Sequence, residues 1–190
     1  DLSGETVTIV VGFGAGGGYD AYGRLAADHL GKFLPGNPTV IVENMPGGGG
    51  QRSLVYLNEA APTDGTTITV IPAHTAFQAI QGNIEEDIDP TVYPVIGRMS
   101  AITEAELTWQ DSPTKTFEDA KPRETLAASD GPTGNGTTVL RMMNELFGTN
   151  FKLIEGYKGT AEMALAMERG EVEAIVHPLQ TLAATHPDWI

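Results

Sequence analysis

The sequence predicts an α/β fold of parallel sheets covered by helices, and three observations predict it. Segments rich in β-branched residues recur, each runs into a turn of small residues, and each turn opens a stretch with helical spacing. The device appears after Val11, Val42, Ser129 and Ile154. Strands joined through helices are parallel, because the crossover needs a helix to return the chain to the same edge.

Thr6-Val-Thr-Ile-Val-Val11 is almost continuously apolar, the signature of a strand buried on both faces. Gly12-Phe-Gly-Ala-Gly-Gly-Gly18 is a turn, and Tyr19 to Leu30 spaces Tyr22, Leu25, Ala26, His29 and Leu30 as a helix. Gly31 and Pro35-Gly36 stop it. Thr39 to Val42 is a second strand, Gly47 to Gly50 a second glycine turn, and roughly Gln51 to Ala60 a second helix. After the turn Pro62-Thr-Asp-Gly65, Thr66 to Ile71 is a third strand. The acids of Ile84 to Asp89 read as a solvated loop.

The pattern restarts after Val95-Ile-Gly97, which predicts α/β lobes at 1–97 and 98–190. In the second, Leu107 to Trp109 and Thr125 to Ser129 read as strands. Pro113 to Ala120, with Thr116 as N-cap, reads as a short helix. Asp130 to Gly136 is the third small-residue turn, before a helix over Thr137 to Phe147 and a strand near Phe151 to Ile154. Gly156 to Thr160 opens a helix reaching Gly170, and Val172 to Val176 is the last strand.

Charge narrows the function. The 190 residues carry 25 acids against 11 bases, a net −14, which repels nucleic acid phosphate and anionic lipid. Neither partner is expected. No apolar run is long enough to span a bilayer, so no direct membrane insertion is expected either. The absence of cysteine excludes disulfides, thiol catalysis and cysteine metal sites.

The recurring turns carry the chemistry. A helix start presents unpaired N–H groups and the positive end of its dipole, and glycine lets a ligand reach that backbone. Such a start holds an anion without a basic side chain. Charge-assisted bonds contribute about 1.5–3 kcal/mol each, so two or three per carboxylate support binding near −8 kcal/mol, which is about micromolar. The ligand ends of parallel strands share one edge of a sheet, so turns from two lobes can line one cleft.

Single residues read less sharply. Asp20 either meets a ligand or caps its helix. His29 reads as packed, Trp109 and Trp189 as anchors, and Glu171 and Glu173 as solvent-facing. His177 and His186 lack metal-ligand spacing, and no serine has a histidine partner in a familiar pattern, so neither a metal nor a catalytic residue is expected. Two other functions compete. Gly12, Gly14 and Gly17 fit the dinucleotide fingerprint of a nicotinamide-dependent oxidoreductase, with Glu43 as ribose-binding acid. Against it, Asp20 would repel the pyrophosphate and the second glycine run would have no purpose. An interaction module without a small ligand is the other.

At these residues the chain resembles the Bug-type, or TctC-like, solute-binding proteins of tripartite tricarboxylate transporters. The segments are Gly12-Phe-Gly-Ala-Gly-Gly-Gly-Tyr-Asp20, Glu43-Asn-Met-Pro-Gly-Gly-Gly-Gly50, Pro62 to Gly65, Ser112 to Thr116 and Tyr157 to Gly159. The resemblance implies a two-lobed periplasmic binding protein of the type II-like, Venus flytrap kind, without cofactor, its signal peptide removed on export. It implies a small carboxylate ligand, delivered to the membrane permease components of an uptake transporter. Carried over by position, it implies ligand contacts from Phe13, Ala15, Gly16, Gly17 and Asp20, from Gly48 and Gly49, and from His74 and Thr75. In the second lobe it implies Ser129, Gly131, Gly134 and Thr137, with Tyr157 and Lys158 beside them. Gly12 stands where the family has proline, and the family continues beyond the length of this chain, which implies truncation on the C-terminal side and a first lobe without its closing elements.

Overall fold

The protein is described by a computed structural model that covers residues 1–84 and 88–189. Most of the acids expected to form a solvated loop, Glu85, Glu86 and Asp87, lie outside the described residues. Asp89 is exposed and accepts bonds from the Thr91 amide and hydroxyl. The chain divides into two compact units, Asp1–Met99 and Ser100–Ile190.

The first unit runs β1 (Thr6–Val11), α1 (Gly18–Leu30), β2 (Thr39–Asn44), a 3-10 turn (Gly48–Gly50), α2 (Gln51–Glu59), β3 (Thr67–Val70) and α3 (Thr75–Gln81). Its sheet has the order β2-β1-β3 with both pairings parallel, Ile9 lying opposite Val42 and Ile68. The central place of β1 is why its residues are apolar on both faces: Val7, Ile9, Val10 and Val11 are buried. Each such side chain contributes about 1.5–3 kcal/mol on leaving water. Helix α1 comes close enough to β1 that a Cβ on Gly23 would lie 2.8 Å from Val11 Cγ2.

The second unit runs β4 (Glu104–Thr108), β5 (Thr125–Ser129), α4 (Asn135–Phe147), β6 (Phe151–Glu155), α5 (Thr160–Glu168), β7 (Ala174–Pro178) and α6 (Leu179–Thr185). The sheet order is β4-β7-β5-β6, parallel except for β4, which pairs antiparallel with β7. One face packs Ile175 and Ala128 against Met163 and Met167 of α5, joined by Trp109 and Trp189, whose rings meet edge to face at 5.2 Å. The other packs Ala127, Ala174 and Val176 against Leu140 of α4.

Several local expectations are corrected. No helix forms over 113–120. The Asp119 carboxylate instead accepts from the amides of Lys115 and Thr116 and from the Thr116 hydroxyl, closing a side-chain turn that competes with helix. Helices α3 and α6, seven residues each, are too short to show periodicity in the sequence. The last strand lies two residues further on than expected. Glu173, just before it, is an anchor and not a solvated acid: Arg123 grips its carboxylate at 2.7 and 3.2 Å and the Ser112 hydroxyl donates to it at 2.7 Å. His29, expected to pack, is exposed in the last turn of α1.

Candidate functional site

Because β1, β2 and β3 are parallel, the segments that follow them, 12–17, 45–50 and 71–75, leave one edge of the first sheet. Their packing depends on missing side chains. A Cβ on Gly12 would stand 2.5 Å from Ser53 Oγ and 2.9 Å from Gly50 Cα. Gly50 has φ +94°, and its Cβ would meet Pro72 Cγ at 2.9 Å and the Phe13 ring at 3.3 Å. Phe13 is buried and stacks on Tyr19 with centroids 4.5 Å apart, so it is a packing wedge for this edge.

The first glycine turn is organised by its own acid. Asp20 is 3% exposed. One oxygen accepts from the Gly16 amide and from Arg24 Nε, each at 2.8 Å, and the other accepts from Asn44 Nδ2 at 2.9 Å. Asn44 also donates to the Phe13 carbonyl at 3.0 Å, tying the end of β2 to the end of β1. Burial pushes the Asp20 carboxyl up, but its bonds to Arg24, Gly16 and Asn44 together hold it below the usual carboxylate range. Replacing Asp20 by Asn is expected to cost about 1–3 kcal/mol, read by chemical denaturation near neutral pH, because the charge-assisted bonds become neutral ones. That stabilisation is present above the ordinary aspartate pKa and is lost as pH falls through the depressed folded value, so the variant should be the less acid-sensitive of the two.

The third segment differs. His74 is 8% exposed and Thr75 is 1% exposed. Both ring nitrogens of His74 and the Thr75 hydroxyl are buried without a hydrogen-bond partner among the described residues. Burial holds the imidazole below its usual pKa, and therefore neutral; the Gly49 backbone opposes this without a well-formed bond to the ring. The glycine turn beside it, Gly48–Gly50, has φ between +57° and +94°, a conformation open to glycine and strained for other residues. Gln51 ties the start of α2 to the end of α3 by donating to the Asn83 carbonyl at 2.6 Å.

In the second unit the turn after β5 is closed on itself. The Ser129 and Thr137 hydroxyls and the Gly131 carbonyl form one cluster, in which one hydroxyl donates to the carbonyl and the other donates to its neighbouring hydroxyl. The Gly131 amide donates to Ser129 Oγ at 3.2 Å and the Gly134 amide to the Gly131 carbonyl at 3.0 Å. The Asp130 carboxyl lies over Gly134 so closely that a Cβ there would overlap it. Burial raises Asp130 to about 6, its own backbone opposing. At α5 the Lys158 amide donates to Glu162 Oε2 at 2.6 Å, the Lys158 side chain is exposed, and Tyr157 packs on the apolar cluster beneath.

The picture of ligand amides gathered from several helix starts is therefore corrected in part. The amides of Gly16, Gly131, Gly134 and Lys158 are already engaged, by a carboxylate in two cases. Ala15 and Gly16 are exposed on the first turn, Gly17 and Gly49 are buried, and Gly48 is exposed on the second turn. Asn44, Arg24 and Asp130 belong to these turns and escaped the sequence reading. Their signal was a polar residue at each strand end, one helical turn after Asp20, or inside a glycine run. Among the described residues no group of three His, Asp or Glu side chains is placed to hold a metal, and no helix is long and apolar enough to cross a membrane.

No protein-family model matches the chain. A curated relative, the UPF0065 protein of the gbd 5' region of Cupriavidus necator, is 31% identical over 176 residues, covering 89% of this chain and 52% of that protein. The chain thus spans about half the length of the curated relative it matches. The periplasmic binding protein BugD matches with a TM-score of 0.74 at 22% identity, over 96% of this chain and 62% of that one. MatC of Rhodopseudomonas palustris, solved with bound malate, matches with a TM-score of 0.75 at 20% identity, over 96% of this chain and 63% of that one. The chain has the α/β fold of the solved proteins BugD, a periplasmic binding protein, and MatC.

Proposed function

We propose that the chain is a non-enzymatic, extracytoplasmic solute receptor that captures a small carboxylate for a membrane uptake transporter. The observation that carries this reading is the cluster of buried, unpartnered polar atoms on His74 and Thr75, beside a positive-φ glycine turn on the ligand edge of a parallel sheet. Each such atom left unpaired in the interior costs about 1–3 kcal/mol, a cost a bound anion repays by accepting from the hydroxyl and the imidazole. Malate in a neighbour of the same fold supports the ligand class.

The dinucleotide reading loses ground at the same edge. The Asp20 carboxylate already sits on the Gly16 amide, inside the G-x-G-x-x-G turn where a pyrophosphate would dock. A thermal-shift panel separates the readings. A carboxylate held at 100 times its dissociation constant adds about 2.7 kcal/mol, or roughly 5–11 °C in a chain of this size. Malate, succinate or an aromatic acid should produce such a shift. Stabilisation by NAD or NADP, with none from any acid, would establish the oxidoreductase instead.

A further inference from the structure

Ligand capture by an anion-binding cluster is ordinarily indifferent to pH near neutrality, since backbone amides and hydroxyls do not titrate there. An imidazole is the side chain whose charge a nearby anion can switch in that range, and the setting of His74 is specific. The ring is more than nine-tenths buried at the N-cap of α3, next to a Thr75 hydroxyl that is also buried, and none of these polar atoms has a partner among the described residues. Resting on the carboxylate reading of this edge, we propose that binding is coupled to uptake of one proton from solvent by the His74 imidazole. The protein then holds its ligand more tightly in acid than in alkaline surroundings.

The surroundings leave the coupling to His74. Thr75–Gln81 of α3 and Thr67–Val70 of β3 carry no titratable side chain. From α2, the Arg52 guanidinium donates to the Pro46 carbonyl, while Tyr56 is half-buried and Glu59 exposed. At the ends of β1 and β2, Asp20 is held by Arg24 and Asn44, and Glu43 is exposed. Burial and the Gly49 backbone are what act on the ring, so in the free protein it is neutral. An arriving carboxylate brings an opposite charge into a poorly solvated place, which moves such a group upward by about one to three pH units. Between the free and the bound value the ring gains a proton as the ligand enters. Affinity therefore rises as pH falls through the bound value and levels off below the free one.

The test is calorimetric titration of the 190-residue chain with malate, or with whichever acid of the panel gives the largest thermal shift. It is run from about pH 6 to 8.5, above the range in which the acid itself titrates, in phosphate and in Tris. The expected result is a gain in affinity of up to about tenfold for each pH unit of acidification. The two buffers should give heats that differ by the ionisation of close to one proton. His74→Gln should bind with a flat pH profile and no buffer-dependent heat, although Asp130, Glu104, Glu106 and His177 remain to titrate. Affinity independent of pH in the parent, or an unchanged slope in His74→Gln, overturns the coupling alone. Failure of every acid to bind overturns the carboxylate reading and the coupling with it. Should His74→Gln not fold, following the imidazole of the parent by NMR with and without saturating malate gives the same answer: an upward move supports coupling, and none refutes it.

Discussion

Gly50→Ala is expected to lower stability by about 2–5 kcal/mol and to weaken carboxylate binding at least about tenfold. The residue sits at φ +94°, ψ −6°, where a Cβ costs about 1–2 kcal/mol in backbone strain. The new methyl also lands 2.9 Å from Pro72 Cγ and 3.3 Å from the Phe13 ring, and forcing extra volume into a packed place costs about 1–3 kcal/mol more. Pro72 is two residues before His74, so its displacement moves the unpartnered ring and the Thr75 hydroxyl with it. Gly65→Ala is the control. Gly65 has φ +87° but nothing within 4 Å of its Cβ, so it pays the backbone part alone. Denaturation of both variants, with malate titration of each, separates strain from collision. Equal stability losses and unchanged affinity in Gly50→Ala would show that this turn does not shape the site.

The second large effect belongs to Glu106. It stands opposite Val176 in the antiparallel pair, on the face packed under α4, and both of its carboxyl oxygens are buried without a partner among the described residues. Burial pushes its pKa up to about 8. From about the ordinary glutamate value upward, the unfolded chain ionises this group while the folded protein keeps it neutral. Stability is thus fully present at low pH, declines as pH rises toward about 8, and loses nothing further from this group above that. Glu106→Gln removes the decline. It should stabilise the protein by about 2–4 kcal/mol near pH 8 and change little near pH 5, as read by urea denaturation at both values. Coincident curves for parent and variant near pH 8 would mean that the carboxyl reaches water or a counter-charge in solution.

How much of this was legible before the coordinates depended on the range of the interaction. The strands β1, β2, β5 and β6 and the turns after them were legible, because runs of apolar and β-branched residues end on small-residue turns, and β1 at the centre of its sheet is apolar on both faces. The helix expected at 113–120 failed because Asp119 can close a side-chain turn as readily as cap a helix, and the same residue types serve both. The antiparallel place of β4 is decided by which edge of β7 is open, a long-range fact with no local pattern. At the site, the candidate turns were found but the state of their amides was not. Whether Asp20 meets a ligand or the Gly16 N–H depends on a rotamer and on Asn44, 24 residues away. The lack of partners around His74 was invisible for the same reason, since a sequence names donors and acceptors but not what stands in front of them.

The most direct measurement is backbone and side-chain NMR of the 190-residue chain during titration with malate and the other acids of the panel. Perturbations concentrated on Gly49, His74, Thr75 and their neighbours are what a carboxylate seated at the first sheet's edge requires. Saturable perturbations confined to other surfaces, such as the groove lined by Ile154, Tyr157 and Arg169, would contradict it, as would no perturbation by any acid.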